Sequence, residues 1–576
     1  EMCIRDSTIT LVAVFFPIVF MDGMTGRLFR EFSIVVSGSV VISSFAALTF
    51  TPMLATKLLV KREQQSWFYR KTEPFFEGMN RVYSKSLAAF LKRRWIALPF
   101  TVVTILLIGF LWNTIPAEMA PLEDRSQISI NTMGAEGVTY EYIRDYTEDI
   151  NHLVDSIIPD AEAVTARVSS GSGNVRITLK DMKDRDYTQM EVAEKLSKAV
   201  QKKTMARSFV QQSSSFGGRR GGMPVQYVLQ ATNIEKLQEV LPKFMTKVYE
   251  NPVFQMADVN LKFSKPEARI NINRDKASIM GVSTKNIAQT LQYGLSGQRM
   301  GYFYMNGKQY EILGEINRQQ RNKPADLKGI YIRSDNGNMV QLDNLIELTG
   351  GIAPPKLYRY NRFVSATISA GLADGKTIGQ GLDEMDKIAK ETLDETFRTA
   401  LTGDSKEYRE SSSSLMFAFI LAIVLIYLIL AAQFESFVQP LIVLLEIPID
   451  VAFALLLLWI CGHTLNLMSA IGLIVTCGII INDSILKLDA INELRRAGMP
   501  LLEAIHEAGR RRLRPIIMTS LTTIFAMVPL LFSFDMGSEL QKPLSIAMIG
   551  AMSVGTLVSL FIIPLIYWFI YRKERA

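Results

Sequence analysis

Cysteine and histidine are nearly absent, three of each in 576 residues. Cys3, Cys461 and Cys477 are scattered, and the last two lie in or beside apolar runs. They offer neither a disulfide ladder nor the paired spacing of a zinc site. His152, His463 and His506 stand alone, which argues against a histidine-based metal centre. No Ser/His/Asp constellation supports a hydrolase, so the chain does not read as an enzyme. Ala370-Gly-Leu-Ala-Asp-Gly-Lys-Thr377 resembles a phosphate loop, but Ala370 stands where the first glycine is required. A strong charge excess is missing too. The net charge of +7 is accounted for by loop orientation and implies no nucleic-acid partner. Position 1 is Glu, and no signal-peptide pattern follows.

What is present is apolar length. Hydrophobic residues make up 48% of the chain alongside 21% charged residues, which points to a membrane portion plus a sizeable soluble portion. Eight apolar runs are long enough to read as spans: Thr8 to Met21, Phe32 to Leu54, Trp95 to Ile115, Leu415 to Ala432, Pro440 to Cys461, Asn466 to Leu488, Ile516 to Phe534 and Leu544 to Tyr571. Lys57 to Arg94 holds ten Lys and Arg with Trp67, Phe68, Tyr69, Phe75, Phe76 and Tyr83, the pattern of an amphipathic helix on a membrane surface. Lys57 to Arg94, Arg495 to Arg514 and Arg572 to Arg575 are basic and fall on one side; Arg27 and Arg30 go against the trend. That bias places the intervening soluble region outside the cytoplasm.

Between Pro116 and Ser413 the pattern changes to short alternating runs. Ser126 to Met133, Asn174 to Lys180, Val225 to Gln230, Asp258 to Phe263 and Ser365 to Ser369 predict strands. Thr139 to Ser156, Ile234 to Tyr249 and Thr377 to Thr392 predict helices, so repeated βαβ units form small α+β sandwiches. A Gly/Ser/Arg linker, 213–222, separates two rounds, and Asn306-Gly307 and Asn336-Gly337 predict tight hairpins.

Inside the run from Asn466 to Leu488 lies Gly478-Ile-Ile-Ile-Asn482-Asp483-Ser484-Ile-Leu-Lys487-Leu-Asp489. Polar and ionised groups are expensive at that depth and tend to mark ion or proton pathways. Packing polar residues with a snorkelling Lys487 are the plainer alternative. A buried carboxylate holds its proton more tightly than one in water, so Asp483 reads as the titrating group. Glu446 and Asp450 place two more carboxylates on one face of another span, near Pro448; an interface position beside a kink is the plainer reading there.

Residues Thr8 to Pro52 match Ser520 to Pro564 at a constant offset of 512, pairing Pro17 with Pro529, Ser33 with Ser545, Gly38 with Gly550 and Pro52 with Pro564. Duplicated halves are typical of transporters, with the coupling site at the interface. Subtracting 512 from 483 gives −29, so the partner of the Asp483 stretch is expected upstream, and the chain is expected to be a fragment.

With these motifs in place, the chain resembles the C-terminal part of a resistance-nodulation-division (RND) efflux permease of the hydrophobe/amphiphile type. Ala431-Ala-Gln-Phe-Glu-Ser-Phe437, Gly478 to Asp489, Arg512-Leu-Arg-Pro-Ile-Ile-Met-Thr519-Ser520 and the Pro564 segment carry the resemblance. It implies a polytopic α-helical membrane protein, eight helices of an expected twelve, with a large α+β periplasmic region. The implied division is 1–55 a helix pair, 56–94 a cytoplasmic-surface helix, 95–115 a helix, 116–273 porter subdomains, 274–355 a docking subdomain, 356–413 the completion of the second porter subdomain and 414–576 a five-helix bundle. The resemblance further implies export of amphiphilic or drug-like molecules driven by the proton motive force, without a cofactor. Trimers in the inner membrane of a Gram-negative-type bacterium, a periplasmic adaptor and an outer-membrane channel belong to the same expectation. A heavy-metal exporter of the same superfamily and a protein-secretion accessory subunit are the alternatives.

The family's drug pumps carry Lys where Asn482 stands here, so a lysine-centred relay does not carry over. Thr519 matches the family's relay threonine and Arg512 its cytoplasmic-mouth arginine. Lys487, one turn from Asp483, is either a substitute partner or an interfacial charge. The turn at Ser169 to Asn174 lacks the Phe-rich loop of the drug pumps, so no substrate-contact residue is named.

Overall fold

The computed structural model describes residues 2–21, 23–58, 67–93, 95, 97–212, 223–353, 356–373, 375–533, 535 and 537–572. The expected linker 213–222 lies outside the described residues. The chain opens with helices α1 (Met2–Val19), α2 (Gly23–Leu58), α3 (Trp67–Lys92) and α4 (Ala97–Thr114). It closes with a helical bundle, and a mixed helix-and-sheet region lies between.

The middle region contains the same βαββαβ arrangement twice. In the first copy β1 (Gln127–Met133), α5 (Tyr140–Ile157), β2 (Ala163–Ser169), β3 (Ser172–Thr178), α6 (Gln189–Val200) and β4 (Arg207–Gln212) form an antiparallel sheet of order β2-β3-β1-β4. Ile128, Ile130, Val175 and Ile177 project from its inner face onto Tyr146, Ile150 and Leu196 of the two helices. Alternation along the strands and helical spacing along α5 and α6 are sufficient to specify this layer. Thr139 caps α5 by accepting from the Tyr142 amide, and Thr188 and Glu191 form a capping box on α6.

The second copy begins with β5 (Val225–Ala231), α7 (Ile234–Glu250) and β6 (Phe254–Val259). An insertion then intervenes, built of β7 (Lys265–Ile272), α8 (Arg274–Ile279), α9 (Thr284–Leu295), β8 (Gln298–Met305), β9 (Lys308–Gly314), β10 (Tyr331–Arg333), β11 (Met339–Gln341) and β12 (Ile346–Ala353). The copy resumes with β13 (Arg359–Tyr360), β14 (Phe363–Leu372), α10 (Ile378–Thr392) and β15 (Arg398–Leu401). β14 pairs with both β5 and β6, and β15 pairs with β5, so the four main strands repeat the first sheet's order. β7 pairs with β12 along its whole length, which groups residues 265–272 with the insertion.

Two local expectations shift. The strand expected at Asp258 to Phe263 runs instead over Phe254–Val259, because Phe254 and Ala257 point into the second core. Asn306-Gly307 does make a two-residue turn, with φ of 52° and 71°. The Asn336-Gly337 hairpin is wider: its loop spans 334–338, and only Gly337 has positive φ.

The final bundle comprises α11 (Gly403–Phe434), α12 (Gln439–Leu444), α13 (Glu446–Ile460), α14 (Leu467–Arg496), α15 (Leu501–Leu531) and α16 (Ser538–Tyr571). The break between α12 and α13 falls at Leu445, where the Pro448 ring obstructs the carbonyl four residues earlier. Among the described residues six helices are long and apolar enough to cross a membrane: Phe29–Leu58, Gly403–Phe434, Gln439–Ile460, Leu467–Arg496, Leu501–Leu531 and Ser538–Tyr571. The other two of the eight expected spans appear as shorter apolar helices, Thr8–Val19 and Pro99–Thr114. The repeat is visible in the helix ends: α1 stops at Val19 and α15 at Leu531, 512 residues apart, and each holds its matching proline inside the helix.

Candidate functional site

α14 runs through the centre of the bundle and is buried on nearly every side, against α1, α15 and α16. Small residues permit the close approaches: a Cβ on Gly478 would meet Val14 of α1 at 2.9 Å, and one on Gly472 would meet the Leu544 carbonyl oxygen of α16 at 2.9 Å. An Asn466–Ser469 capping box starts the helix. Its first turn is also tied to the segment that leads into β1. The Leu465 amide donates to the Pro116 carbonyl at 2.9 Å, the Glu118 amide to the Leu465 carbonyl at 3.1 Å, and the Thr464 hydroxyl to the Glu118 carboxylate at 2.5 Å.

Asp483 is 6% exposed and faces α15. Thr519 Oγ1 donates to its Oδ1 and Ser520 Oγ to its Oδ2, both at 3.2 Å. Each hydroxyl has a second acceptor close by, the Ile516 carbonyl, at 2.8 Å from Thr519 and 3.0 Å from Ser520. A hydroxyl has one proton to donate, so each can turn it to the carboxylate or to the backbone without any movement of the helix. That is the behaviour required of donors beside a carboxylate that alternates between charged and neutral forms. Arg512 stands seven residues, two turns, before Thr519, half-buried and without a hydrogen bond or ion pair among the described residues. Asn482 adjoins Asp483 on the helix, and its buried Oδ1 accepts no hydrogen bond among the described residues.

Lys487 is not a partner of Asp483. It is fully buried, and its Nζ donates to Tyr83 Oη at 3.0 Å, the Ser559 carbonyl at 3.1 Å and the Leu560 carbonyl at 2.6 Å. Tyr83 itself donates to the Leu560 carbonyl at 2.9 Å, so α3 is pinned to the bundle at this point. The expected interfacial or snorkelling position is corrected for a physical reason. The long stem turns toward α16 and α3, whose polar atoms accept all three ammonium protons.

Glu446 and Asp450 are 0% and 1% exposed on α13. Ser484 donates to Glu446 Oε2 at 2.5 Å and lies 3.0 Å from Ser559 Oγ of α16. Sequence reasoning missed Tyr83, Ser484, Ser520 and Ser559 as site residues. Serines in apolar helices carry little signal of their own, although Ser484 directly follows Asp483 and Ser520 directly follows Thr519.

In the soluble region a cleft of about 480 Å³ opens between the two sheets, lined by Asn131, Arg167, Asn174, Asp258 and Asn260, with Phe209 its single aromatic among the described residues. No group of three or more metal-ligating side chains occurs among the described residues.

A bundle of helices long and apolar enough to cross a membrane, with ionisable groups buried inside it and a mixed helix-and-sheet region joined to it, has the architecture of a multi-pass membrane protein. The model of the AcrB/AcrD/AcrF family matches residues 3–571, and the chain belongs to that family. It is also similar, at 28% identity over 578 residues, to an uncharacterised transporter of Haemophilus influenzae, covering 99% of this chain and 56% of that relative. The chain thus spans about half the length of the curated relative that it matches.

Proposed function

We propose that the protein is a proton-driven exporter of amphiphilic small molecules, with Asp483 as the group that loads and releases the proton. The observation that carries this reading is the Asp483 carboxylate, buried mid-helix and held, among the described residues, by the hydroxyls of Thr519 and Ser520. Arg512 lies on the route between this site and the basic, cytoplasm-facing end of α15. Loading a proton removes a buried charge, and the free energy released biases the position of α14. Movement of α14 passes to the soluble region through the Pro116–Leu465 and Glu118–Thr464 bonds at its first turn. α11 supplies a second link, since it begins two residues after β15 ends, and Ser405 in its first turn donates to the Pro224 carbonyl beside β5. The cleft between the two sheets is the cavity such movement would open and close around a substrate. Within the same reading the soluble region faces the periplasm, the transporter sits in the inner membrane as a trimer, and an adaptor and an outer-membrane channel complete the export path.

The test is Asp483→Asn, with efflux of a fluorescent amphiphilic dye from energised cells as the measurement. Export is expected to fall to background while the variant keeps the wild-type gel-filtration profile. Dye efflux at the wild-type rate would overturn the assignment.

A further inference from the structure

Of the four carboxylate oxygens on Glu446 and Asp450, only Glu446 Oε2 receives a hydrogen bond. Glu446 Oε1 and both Asp450 oxygens are buried without a donor among the described residues. The two side chains are one turn apart on α13, so they are neighbours on a single helix face. The facing surface of α16 is hollowed at Gly555, where a Cβ would lie 2.6 Å from Asp450 Oδ1. The result is a sealed notch with three unanswered acceptors.

Among the described residues the surrounding charges offset it only in part, Lys487 acting on Glu446 through space. Lys487 is the cation of α14 on this side, and its three protons already go to Tyr83, Ser559 and Leu560, with no carboxylate of a described residue within 4.0 Å. The other ionisable groups of α14 at this level are Cys477 and Asp483, and Asp483 faces α15. α4 and α12 contain no ionisable residue, while those of α16 are confined to Glu539, Lys542, Tyr567 and Tyr571, toward its two ends. Two ionised carboxylates placed this way would repel each other and each would have lost its water. A bound cation resolves both problems.

We propose that Glu446 and Asp450 form a second coupling-ion site, distinct from Asp483, in which the pair holds one shared proton. The proton arrives from water and takes the pair from two negative charges to one. Because Ser484 donates to Glu446 Oε2, the proton resides among Glu446 Oε1 and the two Asp450 oxygens, and it returns to water when the pair is exposed. α14 then carries two ion sites on adjacent faces, Asp483 toward α15 and Ser484 toward α13, so its position responds to both. The proposal rests on the reading of the protein as an ion-driven exporter, which the Asp483→Asn efflux assay tests separately.

The experiment is infrared spectroscopy of the purified protein, following the C=O stretch of protonated carboxyls as pH is raised in choline chloride and then in sodium chloride. A protonated-carboxyl band is expected to persist in solutions basic enough to ionise free carboxyls fully. Glu446→Gln/Asp450→Asn is expected to remove that band and Asp483→Asn to leave it. Ser484→Ala is expected to shift its frequency, since the serine donates to one of the carboxyls. Should the double variant not fold, the pH series, the sodium series and Ser484→Ala decide the matter. Absence of the band from the wild type, its survival in the double variant or its loss when sodium replaces choline would each overturn the shared proton.

Discussion

The ammonium of Lys487 donates to the carbonyl oxygen of Leu560 at 2.6 Å, and among the described residues no carboxylate lies within ion-pair distance of it. A buried cation held by backbone oxygens and a tyrosine hydroxyl ties α14 to α3 and α16, which is the geometry of an anchor between helices. Lys487→Met keeps the length of the side chain but loses the three bonds to Tyr83, Ser559 and Leu560. Hydrogen bonds to charged groups contribute about 1.5–3 kcal/mol each, but the methionine also avoids burying a charge, so a net loss of about 1–3 kcal/mol is expected. A lower thermal midpoint with dye efflux retained within a few-fold would bear this out; abolished efflux at unchanged stability would make Lys487 part of the relay.

How far the sequence disclosed this arrangement depends on which physical signal each residue leaves. Asp483, Glu446 and Asp450 were legible because a carboxylate interrupts an apolar run, and the α1 and α15 ends because their prolines stay in register. The strands of both sheets were legible through alternation. The direction of Lys487 was not, since a four-residue spacing puts it near the face of Asp483, whereas its real acceptors lie 72 to 404 residues away in sequence. The insertion splitting the second βαββαβ unit was equally hidden, because pairing between β6 and β14 spans more than 100 residues and has no local signature. α11 was expected from Leu415 but starts at Gly403, its polar first turns being held by contacts with β5 rather than by hydropathy.

Thr519 and Ser520 make complementary predictions about Asp483. Each supplies one of the two donors that Asp483 has among the described residues, so Thr519→Val and Ser520→Ala each leave one carboxylate oxygen without that donor in a buried setting. An unmet buried acceptor costs about 1–3 kcal/mol, which corresponds to roughly a fivefold to 150-fold change in an equilibrium. Dye efflux is expected to fall about tenfold in each single variant, and to background in the double variant. Thermal shift assays are expected to show a loss of that same order in each single variant, since the Ile516 carbonyl keeps its helix bond while the carboxylate oxygen loses its donor. Wild-type efflux in the double variant would remove these residues from the relay.

Glu118 offers a pH prediction outside the membrane. Burial pushes its carboxyl above the ordinary 4.5, and the Thr464 hydroxyl offsets part of that. The folded protein therefore keeps this proton at a pH where the unfolded chain has lost it, and the native state binds more protons. Stability must then fall as pH rises from about 4.5 toward the raised folded value. Glu118→Gln preserves an acceptor for Thr464 and removes the titration. Its thermal midpoint is expected to exceed that of the wild type at neutral pH, with a flatter pH profile above pH 4.5. An unchanged slope would assign the dependence to another group.

Gly555 sets the spacing between α13 and α16, and two terms of opposite sign decide what a methyl group there would do. Alanine is a better helix former than glycine by about 1 kcal/mol. At Gly38 of α2, where nothing lies within 4 Å of the added carbon, that term acts alone, and Gly38→Ala is expected to raise stability slightly. At Gly555 the same carbon would lie 2.6 Å from Asp450 Oδ1 and 2.8 Å from Ile480 Cδ1. The isoleucine tip has freedom to swing away, but Asp450 is fixed on the buried face of α13, so the helices must part or the carboxylate must be displaced. Overpacking of this kind costs about 1–3 kcal/mol, which outweighs the propensity gain. Gly555→Ala is therefore expected to lower the thermal midpoint while Gly38→Ala raises it. Equal shifts in the two variants would mean that α16 does not close over Asp450.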